Sequence, residues 1–180
     1  KAHQQLLRPS TKIMAMVKAF SYGSGSYEIA NLLQFMKADY LAVAFTDEGV
    51  DLRKAGITLP IMVMNTEPAS FDALLEHHLE PELFSFSILH AFEHFLEQEV
   101  INSYPVHLKI DTGLGRNGST VAKWAELLDA VLALGEAVRV VGIFSHLSST
   151  GVKEDLAQIE RFEQALALAA ILGVEFDLRH

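Results

Sequence analysis

The chain has 180 residues, half of them apolar, which is enough for one substantial core and excludes a disordered tail. With 14 basic against 23 acidic side chains the formal net charge is -9, a field that repels phosphate backbones and anionic lipid, so neither nucleic acid nor membrane is expected as a partner. Cysteine is absent, which removes disulfides and thiolate metal sites and fits a reducing cytoplasm.

Residues 3–8 read as the last turns of a helix without a capping residue before it, so Lys1 is expected to be an internal start. Short β-rich runs then follow at 13–19, 40–45, 61–65, 83–86, 106–111, 138–146 and 175–179, separated by longer stretches with apolar residues every three or four positions. The clearest of these carries Val121, Trp124, Leu127, Leu128, Val131 and Leu132, opened by Ser119 or Thr120 and stopped near Gly135. Another, over 156–172, ends at Gly173. Regular alternation of this kind defines an α/β chain with a parallel sheet and crossover helices. No Pro/Gly/Ser linker interrupts it, so residues 1–180 read as one domain. Seven strands fit an incomplete (β/α)8 TIM barrel better than an open doubly wound sheet. In either fold the loops after the strands gather on one face, and the polar clusters fall there: 18–25, Asp47, Asn65, 111–118 and 146–150.

Alternation along 14–18 places Lys18 on one face with Met14 and Met16 at the active end of its strand. Apolar surroundings favour a neutral amine, the form that attacks a carbonyl to make a Schiff base, although a rim lysine can equally snorkel to water. Phe20-Ser21-Tyr22-Gly23-Ser24-Gly25 adds a phenolic hydroxyl and two flexible glycines, then enters a helix whose N-terminus can receive a phosphate. In the strand 106–111, His107, Lys109 and Asp111 share a face; buried there they need partners, and a mutual structural network is the plain reading. Gly113, Gly115 and Gly118 spell G-x-G-x-x-G, but the next strand ends in Phe144-Ser145-His146 rather than in a ribose-binding acid, which weakens a dinucleotide site. Arg116 can grip a carboxylate at two points. His146 projects at the active end, to stack on a flat ring or to serve structurally. His90 and His94 have metal-pair spacing on an outward helical face, and no metal is expected.

Val17-Lys18-Ala19 with Tyr22-Gly23, the run from His107 to Arg116, and Gly142-Ile143-Phe144-Ser145-His146 resemble, in order, three motifs of the alanine racemase family. The resemblance implies a pyridoxal-phosphate barrel in which Lys18 holds the cofactor and acts as one of two acid/base groups, Tyr22 contacts the phosphate, His146 lies beside the pyridine ring and Arg116 near the substrate carboxylate. It implies that Lys109 can carry a carbamate. It further implies L- to D-alanine conversion for peptidoglycan precursors, a cytoplasmic homodimer when complete, and a second, β domain supplying the opposite base, so that these residues alone are expected to be largely inactive. Phe20, Ser21 and Ser24 depart from the usual Asn, Ala and His and resemble racemase domains fused behind a ligase. The alternatives are a non-catalytic pyridoxal-phosphate barrel, a related amino-acid decarboxylase, and a Schiff-base aldolase that uses Lys18 without the cofactor.

Overall fold

The computed structural model describes residues 2–180, with side chains from Gln4 onward; the expectation about Lys1 lies outside the described residues. The chain forms two compact units, the first reaching Pro81 and the second spanning Glu82–His180, with the boundary inside one strand.

In the first unit α1 (Ala2–Leu6) precedes β1 (Met14–Met16), the six-residue turn α2 (Lys18–Gly23), α3 (Ser26–Phe35), β2 (Tyr40–Val43), α4 (Thr46–Lys54), β3 (Ile61–Val63), α5 (Phe71–Glu76) and the start of β4 (Glu80–Leu83). The strands run parallel, β1 on β2, β2 on β3 and β3 on β4. Leu41, Val43, Ile61 and Val63 are wholly enclosed, as expected of parallel strands covered on both faces.

The second unit continues with α6 (Phe86–Glu99), β5 (Tyr104–Asp111), the two-residue β6 (Ser119–Thr120), α7 (Trp124–Ala133), β7 (Val138–Phe144), α8 (Val152–Leu172) and β8 (Leu178–Arg179). Its strands follow the parallel order β4, β5, β7, β8, with β6 beside β5. On α7 the expected apolar stripe buries Trp124, Leu127, Leu128 and Val131, while Val121 and Leu132 at its ends are exposed. The Trp124 indole donates to the Ala165 carbonyl at 3.0 Å and ties α7 to α8. Gly173, with φ of 86°, terminates α8 in the left-handed conformation expected of a C-terminal glycine.

Several expected strands are shorter, those at 138–146 and 175–179 covering only Val138–Phe144 and Leu178–Arg179, and two others differ for a visible reason. The run at 83–86 is strand only to Leu83, because the Ser85 hydroxyl accepts from the Ile88 amide and starts α6 at Phe86. The strand expected over 13–19 stops at Met16 because the backbone then turns left-handed. Among the described residues no helix is long and apolar enough to cross a membrane.

Candidate active site

In the first unit Lys18 opens a turn rather than ending a strand. Ala19, Phe20, Ser21 and Tyr22 have φ of 51°, 56°, 50° and 55° and ψ between 36° and 51°, which is a full left-handed turn made of residues with side chains. Each such residue costs roughly 1–2 kcal/mol, so the turn persists only because its surroundings enforce it. The Ser21 amide donates to the Val17 carbonyl at 3.1 Å and the Gly25 amide to that of Phe20 at 3.0 Å. The main clamp is Glu48 on α4. Its Oε1 accepts from the Ala19 amide at 2.6 Å, and its Oε2 accepts from the amides of Ala44 at 2.7 Å and Phe45 at 3.2 Å. One carboxylate thereby fixes both the residue after Lys18 and the end of β2. Lys18 is half-buried, and Phe20 and Tyr22 are 67 % and 69 % exposed. The simple alternation of Lys18 with Met14 and Met16 is therefore corrected, whereas the entry of the 23–25 segment into α3 is as expected.

In the second unit the interior-facing side chains of β4, β5, β7 and residue 180 form a cluster. Parallel register sets Glu82 opposite His107, His107 opposite Gly142, and Lys109 opposite Phe144. The Lys109 ammonium lies 3.1 Å from Glu82 Oε1, with the two side chains 3 % and 0 % exposed. The contact is an ion pair without good hydrogen-bond angles, since neither carboxylate oxygen meets a directed donor. Burial pushes the Glu82 carboxyl up to about 7, against the opposing pull of Lys109 and, more weakly, of Arg116. Lys109 Nζ also stands 5.2 Å from the centre of the Phe144 ring. The His107 and His180 rings meet edge to face with Nδ1 and Nε2 3.3 Å apart. His180 lies flat on Phe144, centroids 4.8 Å apart. Residue 180 as a whole is exposed, but its ring lies against Phe144 and the edge of His107, and this desolvation together with His107 pulls it down to about 4.

Asp111 stands apart from this cluster. Its oxygens accept from the amides of Gly113 at 2.9 Å and Gly115 at 3.0 Å, shaping the loop that carries Arg116. The expected three-membered network on β5 is thus replaced by two pairs, Lys109 with Glu82 and His107 with His180. Gly118 has φ of 127°, and a Cβ there would lie 2.8 Å from the Asp111 amide nitrogen, so the G-x-G-x-x-G run serves loop geometry. Arg116 is exposed, as is His146, which follows the end of β7. Gln158 on α8, 2 % exposed, donates to the His146 carbonyl at 3.1 Å and to Thr112 Oγ1 at 3.3 Å, and accepts from the Ser148 amide at 2.8 Å. It joins the loops after β5 and β7. On α6, His90 contacts Glu93 at 3.2 Å and His94 contacts Gln98 at 3.1 Å, pairings within an exposed helical face.

Sequence reasoning missed Glu48, Glu82 and Gln158. For Glu82 a signal existed: an enclosed Lys109 demands an anion, and the acidic pair flanking Pro81 borders the neighbouring strand.

Parallel β/α units of this kind make up β/α barrels, a class that carries its functional residues in the loops after the strands. The family model for the alanine racemase N-terminal domain matches residues 1–180, and the chain belongs to that family. It is 35% identical over 169 residues to an alanine racemase of Synechocystis sp., covering 91% of this chain and 45% of the relative. It is 37% identical over 174 residues to one of Symbiobacterium thermophilum, covering 94% and 45%. An alanine racemase structure from Clostridium difficile 630 superposes with a TM-score of 0.91 at 28% identity, over 98% of this chain and 50% of that one. These likenesses identify the fold as the expected incomplete barrel. The chain spans about half the length of the curated relatives it matches.

Proposed function

We propose that this chain is the cofactor-bearing part of an enzyme that interconverts L- and D-alanine, with pyridoxal phosphate held at Lys18. The observation that carries the reading is the Lys18 turn: a half-buried amine at the end of β1, followed by a clamped left-handed turn that puts the Tyr22 hydroxyl on the same short segment. The donor set suits the group, with an amine for its aldehyde, a phenol for its phosphate, the His146 imidazole for a flat ring and a guanidinium for a substrate carboxylate. Bound there, pyridoxal phosphate would supply an electron sink for negative charge at Cα. The protein's part is to place groups. Lys18 would hold the cofactor and would give or take the proton at Cα on its side; Tyr22 would hold the phosphate, His146 would serve the ring and Arg116 would orient the alanine carboxylate. The opposite-face base belongs to the reading of a complete homodimer, in a cytoplasmic pathway supplying D-alanine to peptidoglycan.

Borohydride reduction in the presence of pyridoxal phosphate, followed by peptide mass mapping, tests this. A stoichiometric adduct on the Lys18 peptide, abolished in Lys18→Ala, is expected. An unmodified Lys18, or an adduct that survives Lys18→Ala, refutes it. In the complete protein, exchange of the alanine α-proton with solvent deuterium separates catalysis from mere cofactor carriage.

A further inference from the structure

Gln158 on α8 is enclosed, and its amide is used in full. Of the two Nε2 hydrogens, one goes to the His146 carbonyl at 3.1 Å and the other to Thr112 Oγ1 at 3.3 Å. Oε1 accepts from the Ser148 amide at 2.8 Å. Chemistry fixes which end is which. A reversed amide would set oxygen against the His146 carbonyl and an NH2 against the Ser148 N–H, leaving both without partners in an enclosed place.

These partners belong to two loops. Thr112, 1 % exposed, begins the loop after β5, in which Asp111 holds the Gly113 and Gly115 amides ahead of Arg116. His146 and Ser148 lie in the loop after β7. The loops also meet directly, the Thr112 and Ser145 hydroxyls standing 2.8 Å apart. One turn to either side of Gln158, α8 makes two further approaches. Asp155 accepts from the Ser149 amide at 3.0 Å, and the Arg161 guanidinium lies so near Gly113 that a Cβ there would come within 3.0 Å of it. Positions 155, 158 and 161 lie along one side of the helix, so α8 presents a row of side chains to both loops. The side chains of Arg116 and His146 are themselves exposed. Burial does not fix them, and the backbone that carries them has to.

We propose that Gln158 is a positioning residue that locks the Arg116 loop to the His146 loop, so that the group for the substrate carboxylate and the group for the cofactor ring keep one spacing. The ligand roles of Arg116 and His146 rest on the proposed function; the coupling of the two loops does not.

Hydrogen exchange of single amides, measured on the chain without cofactor or alanine, tests the coupling. Gln158→Met keeps the length of the side chain and removes all three bonds. The Ser148 amide should then exchange about tenfold faster, the factor that one lost hydrogen bond sets. The amides of Gly113 and Gly115, which Gln158 does not touch, should accelerate with it. Leu166→Ala, a core truncation further along α8, should leave Gly113 and Gly115 at the parental rate, because loop amides exchange by local opening. Parental rates at both glycines in Gln158→Met, or equal acceleration in Leu166→Ala, overturn the proposal. Should Gln158→Met fail to fold, Thr112→Val cuts the link from its other end and is read at Ser148; faster exchange there supports the coupling and a parental rate refutes it. In the complete protein Gln158→Met should raise the KM for alanine and the dissociation constant for pyridoxal phosphate together, several-fold, with kcat less affected. Both constants unchanged would reject the positioning role. A parent that takes up no pyridoxal phosphate would instead sink the proposed function and leave the exchange result standing.

Discussion

Gly142 is required by its neighbours. A Cβ at this position would lie 2.8 Å from His107 Nδ1 and 3.1 Å from His180 Nε2, with Leu178 Cβ at 3.3 Å behind it. Gly142→Ala should therefore lower stability by about 1–3 kcal/mol, the usual cost of forcing a methyl into a packed interior. A lower urea midpoint at unchanged slope is the expected reading, and an unmoved midpoint would show that the imidazole pair has room to spare. Arg53 presents the opposite case, a surface-type residue used as a fastener. Its guanidinium donates to the carbonyls of His77 at 3.0 Å, Ile57 at 2.9 Å and Leu59 at 2.6 Å, and its half-burial lowers its proton affinity by desolvation. Lysine cannot reproduce that fan, so Arg53→Lys should cost roughly 1–3 kcal/mol in the same urea experiment. Neither role is legible from residue type, because both depend on which carbonyls and rings the fold brings alongside.

The left-handed turn at 19–22 is the element in which local preference and structure disagree most. Four residues at roughly 1–2 kcal/mol each are held by backbone hydrogen bonds and by the Glu48 carboxylate. Phe20, 67 % exposed at φ of 56°, loses little packing when replaced, so Phe20→Gly should raise stability by about 0.5–1 kcal/mol, strain relief exceeding the added chain entropy. Glu48→Gln should lower it by about 1–3 kcal/mol and speed hydrogen exchange of the Ala19 amide; protection at the parental level would show that Glu48 does not hold the turn. The spacing of apolar residues revealed the alternation of strands and helices, the α7 stripe and the stop at Gly173, since burial dictates periodicity. It could not reveal the sign of φ after Lys18, where Glu48 reaches across from α4 to the Ala19 amide. The end of β4 was misplaced for a readable reason: Ser85 is an N-cap residue, yet the apolar Phe84 and Phe86 around it resemble a strand. In the site, the loop carrying Arg116 was legible because its glycines carry their own geometry, whereas strand alternation grouped Asp111 with His107 and Lys109 and hid its bonds to the Gly113 and Gly115 amides. Glu82 was legible only in part: an enclosed lysine calls for an anion, but which carboxylate of the neighbouring strand supplies it depends on how the strands align.

At the scale of the whole molecule two enclosed groups make stability depend on pH with opposite signs. Glu82 is raised from 4.5 to about 7. Between those values the folded chain keeps a proton that the unfolded chain has released, so the stabilising contribution is full below about 4.5 and is lost as pH rises through 7, amounting to about 3 kcal/mol. His180 is lowered from 6.5 to about 4. There the unfolded chain gains a proton that the folded chain refuses, so stability is lost as pH falls from 6.5 towards 4. The two slopes oppose each other across the shared window, so the parent's own profile is flatter than either alone. Glu82→Gln removes one of them. Its stability relative to the parent should climb steadily with pH from about 4.5 to 7. His180→Gln should do the reverse, falling relative to the parent as pH rises from about 4 to 6.5. Urea titrations of the three proteins across this range measure both differences, and since every other ionisable group is common to them, the comparison isolates this pair. Parallel profiles for parent and Glu82→Gln would mean that the Glu82 carboxyl titrates alike in folded and unfolded chains, the pull of Lys109 and Arg116 offsetting burial in full instead of yielding to it.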